Sequence, residues 1–406
     1  MGSVKSNMKW LMLGFAFLAT VINYLDRQTL SVMAPVILDE LHVSARGYSH
    51  IIFAFMLAYT LGNGVSGRLL DRLGSRIGYG LTIAVWSGAA TLQALSGGAF
   101  SLGVFRFLLG IGEAGNYPAG VKLIAEWFPI KERSLASGIF NSGASIGAIL
   151  APPLLAWIAL SAGWRIAFVI VGLTGFVWLA AWALIYRRPE NTLTLRAEEI
   201  NRVSLRALLR SRFLWQFTLS KVFSDPVWYF YTFWFPQYLK TVHGFSLAQI
   251  GKVAWIPFFT ASIGNLAGGV VFSGALRWTG DAARARRIAN LFFSTLMASG
   301  IFVGDGRSSA ECVALISIAT FGYAGSLANL LAIPGDVFPT GAVASIWGFA
   351  SMGAGFGGMI FSLVTGSLVD RYSFRPTFML FGLMPLLAAS VVWTLPRKAK
   401  IALEHF

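Results

Sequence analysis

The chain has 406 residues, of which 56% are apolar and only 12% are charged, and its formal net charge is +15. An ordinary soluble domain carries about 25% charged residues, so this composition excludes most soluble enzymes, disordered chains and secreted disulfide scaffolds. The single cysteine, Cys312, excludes an intrachain disulfide and a thiolate metal cluster. Lipid is therefore the expected solvent for most of the protein surface.

Long apolar segments follow one another along the chain, and each can cross a bilayer, which takes about 20 residues as a helix. Uninterrupted runs of this length predict helices, whereas a transmembrane β-barrel would show short alternating segments. The sequence therefore predicts an all-α membrane protein with twelve transmembrane helices. The predicted spans are residues 10–33, 48–67, 77–96, 100–121, 134–159, 164–186, 213–239, 249–275, 286–304, 310–332, 341–369 and 375–395.

Lysine and arginine residues are distributed unevenly between the two sides of these spans. Most of the 32 lie in the N-terminus, the C-terminus and the loops on the same side as the termini. The positive-inside rule then predicts that both termini are cytoplasmic in a multi-pass protein of the cell (inner or plasma) membrane. The net charge of +15 is explained by this topology and by attraction to anionic membrane lipids, so no nucleic-acid partner is expected.

The longest polar stretch, residues 187–212, separates the first six spans from the last six. The sequence thus predicts an N-terminal six-helix half over residues 1–186, a cytoplasmic linker over 187–212 and a C-terminal six-helix half over 213–406. The end of the linker, residues 205–212, interleaves leucines with arginines, which is typical of a short amphipathic helix on a membrane surface.

The two halves resemble each other at a constant offset of 210 residues. Asp281 follows Asp71 at this interval, and Arg286 follows Arg76. Two parallel six-helix repeats predict a secondary transporter with two pseudo-symmetric halves. In such folds the substrate binds near the bilayer midplane at the repeat interface, and access alternates between the two sides of the membrane.

Two further patterns are similar to known transporter sequences. Residues 67–76, Gly-Arg-Leu-Leu-Asp-Arg-Leu-Gly-Ser-Arg, resemble the loop between spans two and three that marks the major facilitator superfamily. Residues 23–27, Asn-Tyr-Leu-Asp-Arg, and the pair Arg106 and Glu113 resemble the anion:cation symporter family within it. The resemblance covers nearly the whole chain and implies the major facilitator fold.

Within that family the bacterial hexuronate transporters are the most similar members. They share the patterns at residues 225–230, Asp-Pro-Val-Trp-Tyr-Phe, and 336–339, Asp-Val-Phe-Pro. The resemblance implies proton-coupled uptake of a small organic anion, such as a hexuronate. The chain is expected to function as a monomer. No cofactor is expected, because the proton gradient would supply the energy. Galactonate-like relatives carry a glutamine near the position of Ala144, which disfavours galactonate itself and suits a hexuronate or another small organic anion.

Arg27 and Arg106 carry charges at membrane depth, about 9 Å from the outer ends of spans one and four. A charge there costs about 2.5–3.5 kcal/mol on insertion scales, so each arginine needs a cavity or a partner. Two guanidinium groups at one level suit a carboxylate substrate, and the resemblance implies anion binding at both positions. The alternative is that each arginine only neutralises Asp26 or Glu113.

Asp26 and Glu113 are acids inside spans one and four. Neighbouring cations should keep both carboxylates ionised, whereas burial favours the uncharged form. Substrate binding at the arginines would then decide their protonation, which predicts a proton-coupling role that the resemblance also implies. The alternative is a static salt-bridge network that only orders the bundle.

Further charged residues are expected to act in gating or structure. Asp71, Arg72 and Arg76 lie in the loop that, in the superfamily, latches the halves on the cytoplasmic side. Lys221 and Asp225 are four residues apart on span seven, so they are expected to pair with each other. Prolines interrupt this span, as is typical of a gating helix.

Polar and aromatic residues at membrane depth are further candidates for substrate contact. Sugar rings stack on aromatic side chains, although Trp and Tyr also collect at the membrane interface, and buried amides also form interhelical hydrogen bonds. The resemblance matches Tyr59 of span two to a cavity tyrosine of the galactonate-like relatives. The candidates are Tyr59, Trp228, Tyr229, Asn116, Asn265 and Asn329.

Three other functions compete with anion uptake as explanations of the sequence. Drug antiporters of the superfamily carry a Gly-Pro dipeptide in span five, and this chain has no such dipeptide there. An enzyme is disfavoured because the four histidines are scattered near loops and the C-terminus, which predicts neither a catalytic nor a metal site. A membrane nutrient sensor that binds its ligand without transporting it stays open.

Overall fold

The computed structural model describes residues 2–187, 205–306, 308–338 and 340–396. Over these residues the regular structure is helical and contains no strand, which confirms the predicted all-α fold class. Helices form because no water is available inside a bilayer, so each backbone N–H and C=O must be bonded within its own segment.

The helices cover nearly all of the described chain. Short 3₁₀ segments follow two of them, at Gln93–Leu95 and Ala298–Asp305. The helices are α1 (Gly2–Glu40), α2 (Ala45–Leu92), α3 (Ala99–Glu113), α4 (Asn116–Trp127), α5 (Ile130–Ala162), α6 (Trp164–Ile185), α7 (Leu205–Arg210), α8 (Arg212–His243), α9 (Leu247–Val253), α10 (Ile256–Thr279), α11 (Ala282–Met297), α12 (Ser309–Val337), α13 (Thr340–Arg371) and α14 (Arg375–Trp393).

Several predicted spans are joined or divided in the structure. Spans two and three form the single 48-residue helix α2, which is interrupted at Gly74. The φ of Gly74 is 73°, a left-handed conformation that glycine adopts without the clash that a Cβ would cause. Span four is divided into α3 and α4, and span eight into α9 and α10.

Within the described ranges, eight helical segments are long and apolar enough to cross a membrane by length and composition alone. They correspond to spans one, five, six and eight to twelve of the sequence analysis. The other four spans lie in α2, in α3 with α4, and in α8, all of which carry charged residues.

The chain packs into two compact units. The first unit comprises Met1–Thr194 with Phe233–Trp255, and the second comprises Leu195–Thr232 with Ile256–Phe406. Helix α8 therefore contributes residues to both. The predicted halves 1–186 and 213–406 stay a prediction from the sequence, and most of the predicted linker, residues 188–204, lies outside the described residues.

Specific contacts explain why the last part of α8 packs in the first unit. The backbone carbonyl of Phe233 accepts hydrogen bonds from the hydroxyls of Tyr48, at 2.8 Å, and Ser31, at 3.4 Å. Lys240 forms an ion pair with Asp39 near the end of α1. These contacts hold the end of α8 against α1 and α2.

The short helix predicted at the end of the linker is present as α7. Leu208 is buried in a cluster that includes Phe213 and Phe217 of α8. Burial of this leucine holds α7 against α8, within the second unit, by an apolar contact. The helix is therefore fixed by packing within the protein, in addition to any contact with lipid.

Glycines allow the same close helix contact in both units, 210 residues apart. A Cβ added at Gly143 or Gly147 of α5 would lie within 3 Å of a backbone carbonyl of α1. A Cβ added at Gly353 of α13 would lie 2.3 Å from Thr218 of α8, and one at Gly357 would lie 2.9 Å from the Val222 carbonyl. Small residues of this kind let helix backbones approach closely in a membrane.

Gly147→Ala is expected to destabilise the first unit by roughly 1–3 kcal/mol, the range for overpacking. The new methyl group would lie 2.6 Å from the Val21 carbonyl oxygen and 2.8 Å from the Tyr24 Cβ. Gly138→Ala is the matched control on the same helix, because a Cβ there meets no atom within 4 Å. Thermal unfolding in detergent should show a lower midpoint only for Gly147→Ala. Equal midpoints for the two variants would contradict the close contact.

Candidate functional site

The first unit brings four charged residues together at membrane depth. Asp26 and Arg27 lie on α1, and Arg106 and Glu113 lie two turns apart on α3. Arg106 and Glu113 are each 1% exposed, and Asp26 is 2% exposed. The predicted cluster is thus assembled from residues nearly 90 positions apart, and water is almost excluded from it.

Arg27 is held in place by an acid and by aromatic rings. Its Nε and Nη2 atoms both donate to Oε2 of Glu113, at 3.0 and 2.8 Å. Its guanidinium carbon lies 5.0 Å from the ring centroid of Tyr24, 5.5 Å from that of Phe55 and 4.7 Å from that of Tyr59. Aromatic faces attract a cation at these distances, so the rings help to fix the Arg27 side chain. Glu113 occupies the edge of the Arg27 guanidinium that carries the two donors Nε and Nη2, here called the two-donor edge.

Arg106 differs from Arg27 in the hydrogen bonds that its guanidinium makes with the described residues. Its Nη1 donates to the Arg27 carbonyl at 3.4 Å, while Nε and Nη2 are buried and have no hydrogen-bond partner among the described residues. Both guanidinium carbons lie within 6 Å of the Phe55 ring centroid, so the two arginines share one aromatic neighbour. The Nε and Nη2 edge is the one that binds a carboxylate in bidentate fashion.

The acids of the cluster also have unused hydrogen-bonding capacity. Neither carboxylate oxygen of Asp26 has a partner among the described residues, and Oε1 of Glu113 has none. A buried polar group without a partner is costly. Buried groups of this kind need a bound ligand, a water molecule or a proton to compensate them, and these atoms adjoin a buried arginine.

The asparagine candidates occupy three different environments. The amide of Asn116 accepts from the Tyr79 hydroxyl at 2.8 Å and donates to the Thr20 hydroxyl at 3.2 Å, which links α4 to α2 and α1. Asn329 donates to backbone carbonyls of α10 and α12. Asn265 is exposed on α10. The first two therefore make interhelical hydrogen bonds of the kind that the sequence analysis gave as the alternative.

The loop residues between spans two and three contact neighbouring helices of the first unit. Asp71 forms an ion pair with Lys122 of α4 at 2.9 Å. Arg76 donates to the backbone carbonyl of Ala183 on α6 at 3.3 Å, and Arg72 is exposed. The partner of Asp71 is thus a lysine 51 residues away rather than a neighbouring arginine.

The second unit contains a separate buried charged cluster. Lys221 Nζ lies 2.6 Å from Oδ2 of Asp225, the pairing that their four-residue spacing predicts. The other oxygen of Asp225 accepts from the Tyr323 hydroxyl at 3.4 Å. Trp228, which is half-buried, stacks on Tyr323 with ring centroids 5.1 Å apart, and Tyr229 is half-buried beside it in the sequence.

Four residues around these sites were not among the candidates from the sequence. Tyr24 and Phe55 face Arg27, and Lys122 pairs with Asp71. Tyr323 lies 210 residues after Glu113, so the repeat offset was a signal for its position. Phe55 lies one helical turn before Tyr59, which was a weaker signal.

Comparison with known proteins identifies the family. The sequence pattern described as "Major Facilitator Superfamily" matches residues 16–304. The chain is 34% identical over 404 residues to a hexuronate transporter of Escherichia coli (strain K12), covering 95% of this chain and 94% of that protein. It is 35% identical over 278 residues to a galacturonate transporter of Dickeya chrysanthemi, covering 64% of this chain and 81% of that protein.

Solved structures support the fold. The crystal structure of a D-xylose-proton symporter has a TM-score of 0.74 at 16% identity and covers 94% of this chain and 97% of that one. The family match and the hexuronate transporter confirm the resemblance inferred from the sequence motifs. They also confirm the prediction of a membrane protein that is not an enzyme. The chain is a multi-pass membrane transporter rather than an enzyme and belongs to the Major Facilitator Superfamily.

Proposed function

We propose that the protein takes up a small organic anion, a sugar acid such as a hexuronate, by proton-coupled symport with alternating access. The observation that carries the proposal is the buried Nε and Nη2 edge of Arg106, which has no hydrogen-bond partner among the described residues and belongs to one buried cluster with Asp26 and Glu113. The named functions of the relatives, hexuronate and galacturonate transport, support the substrate class.

The substrate carboxylate would bind to Nε and Nη2 of Arg106. Arg27 is less available, because Glu113 occupies the same edge of its guanidinium. Tyr59 and Phe55 stack at the side of Arg27, so aromatic faces adjoin the position where the sugar ring would lie. Contacts of the substrate with Trp228, Tyr229 and the three candidate asparagines remain predictions from the sequence.

Charge balance in the cluster supports coupling to one proton. Two arginines and two ionised carboxylates sum to zero, so a bound monoanion leaves one negative charge in a nearly dry site. One proton on Asp26 or Glu113 restores neutrality, and burying an uncompensated charge is far more costly than burying a neutral group. Anion and proton would therefore bind together, and no cofactor is required.

The membrane arrangement is part of the same proposal. The protein would act as a monomer in the cell membrane, surrounded by lipid, with both termini in the cytoplasm. An inward proton gradient would then drive the anion into the cell, with Asp71, Arg72 and Arg76 on the cytoplasmic side as gating residues.

Uptake into proteoliposomes tests the proposed substrate class. Purified protein should take up labelled D-galacturonate, and unlabelled hexuronates should compete, whereas neutral hexoses should not. Binding of galacturonate without uptake would favour the sensor function. Uptake of neutral hexoses with no response to galacturonate would contradict the proposal.

Cysteine labelling tests the predicted topology in a Cys312→Ala background, which removes the only native thiol. A membrane-impermeant maleimide should label Asp305→Cys on intact cells. It should label Ile200→Cys, in the predicted linker, only after the membrane is permeabilised. The reverse pattern would contradict the cytoplasmic location of the termini.

A further inference from the structure

We propose that Phe55 is a positioning residue of the anion site, and that its ring holds the guanidinium groups of Arg27 and Arg106 by cation–π contact. Held in this way, Arg106 keeps the edge that carries Nε and Nη2 available for the substrate carboxylate. The inference rests on the proposed function and adds a residue to the same site. All three residues lie within the first unit.

The Phe55 ring is the aromatic neighbour that the two arginines share. Phe55 lies on α2 and is 3% exposed. The guanidinium carbon of Arg27, on α1, lies 5.5 Å from its ring centroid, and that of Arg106, on α3, lies 5.9 Å from it. Both distances are within the roughly 6 Å at which an aromatic face attracts a cation. One buried ring thus contacts charged groups from two other helices.

Neighbouring rings and a close helix contact fix the position of Phe55. Its ring stacks on that of Tyr59, with centroids 5.9 Å apart, and meets that of Phe233 edge-on at 6.2 Å. A Cβ added at Gly110, one turn after Arg106 on α3, would lie 2.5 Å from the Phe55 carbonyl oxygen. Glycine at this position therefore lets α3 approach α2 closely, which brings Arg106 to the ring.

A ring contact and a hydrogen bond use different parts of a guanidinium group. The aromatic ring attracts the positive charge through its face, whereas the N–H donors point outward in the guanidinium plane. An acid paired with Arg106 would occupy those donors, as Glu113 does at Arg27. Phe55 instead offsets part of the cost of burying the Arg106 charge. Nε and Nη2 of Arg106 have no partner among the described residues.

Glu113 is the group from which Arg106 must be kept apart. It lies seven residues after Arg106, so both side chains lie on one face of α3. Its Oε1 atom has no partner among the described residues, and opposite charges attract strongly away from water. An Arg106 side chain that turned toward this oxygen would lose the edge that binds the substrate. The contact with Phe55 opposes that rearrangement.

Fluorination of Phe55 tests the cation–π contact at nearly constant shape. Each fluorine withdraws electron density from the ring face and so weakens its attraction for a cation. Full-length protein carrying mono-, di- or trifluorinated phenylalanine at position 55 would be titrated calorimetrically with D-galacturonate. The affinity should fall stepwise, by roughly fivefold across the series. The same substitutions at Phe168, a buried ring of α6 that packs edge-on against Trp164, are the control and should change the affinity less than about twofold.

The direction of the change decides the proposal. Affinity that stays constant or rises across the Phe55 series would overturn it, because a ring that only fills space does not respond to its electron density and a ring that competes with the anion would release it. Wild-type protein that does not bind D-galacturonate would contradict the proposed function, and this inference with it. Wild-type binding without a response to fluorination would contradict the inference alone.

Phe55→Leu provides a second test with natural amino acids. Leucine keeps an apolar side chain at this position but has no aromatic face, so galacturonate binding should weaken roughly tenfold. Phe168→Leu is the matched control, because it also removes one buried ring from the first unit. Equal affinities in the two variants would show that the ring of Phe55 serves only packing and would overturn the proposal.

Discussion

Arg106→Lys is expected to weaken binding of a monoanionic sugar acid by roughly 10- to 100-fold. Lysine keeps the charge but lacks the planar two-donor edge that binds a carboxylate in bidentate fashion. A hydrogen bond to a charged group contributes about 1.5–3 kcal/mol, which corresponds to this range of affinity. Calorimetric titration of the purified protein with D-galacturonate measures the change directly.

Arg165→Lys is the matched control for this prediction. Arg165 belongs to the same unit and pairs with Glu40 at 2.5 Å, but its side chain is 45% exposed. Its substitution should leave the affinity within about twofold, because exposed ion pairs contribute little. Near wild-type affinity in Arg106→Lys would place the anion site elsewhere.

Glu113→Gln is expected to retain exchange of substrate across the membrane and to lose accumulation driven by an acidic exterior. Glutamine matches glutamate in size but cannot take up and release a proton. One proton carried per anion permits about tenfold accumulation of substrate for each pH unit of gradient. In the variant, the ratio of internal to external substrate concentration should fall to about one. Asp26→Asn should fail at the same step if both acids carry the proton.

Counterflow measures substrate exchange, and pH-driven uptake in the same proteoliposomes measures accumulation, so the two assays separate these activities. Glu40→Gln is the control, because Glu40 pairs with Arg165 and Trp164 outside the buried cluster. It should behave like the wild type in both assays. Accumulation by Glu113→Gln against a gradient would assign the proton to another group.

The composition of the buried cluster could be predicted from the sequence, but its pairing could not. Charged residues in apolar spans identify Arg27, Arg106 and Glu113 because each is costly at membrane depth. Helical periodicity places Arg106 and Glu113 on one face. The hydrogen bond from Arg27 to Glu113 joins positions 86 residues apart. Spacing along the sequence does not show which of the two arginines pairs with Glu113.

Pairs within one helix were accessible from the sequence, whereas contacts between helices were not. The four-residue spacing of Lys221 and Asp225 predicts their pair because such residues lie one turn apart. Phe55 beside Arg27, and the packing of the end of α8 against α1 and α2, depend on how helices cross. Crossing geometry is set by many small contacts that apolar sequences do not reveal individually.

Simultaneous measurement of anion and proton entry tests proton-coupled sugar-acid uptake most directly. Wild-type proteoliposomes carrying an internal pH-sensitive dye would start at equal pH on both sides and receive labelled D-galacturonate outside. The charge balance of the cluster predicts that the interior acidifies as the label enters, with about one proton per anion, since a neutral complex crosses the membrane. Entry of galacturonate with no change of internal pH would contradict the coupling.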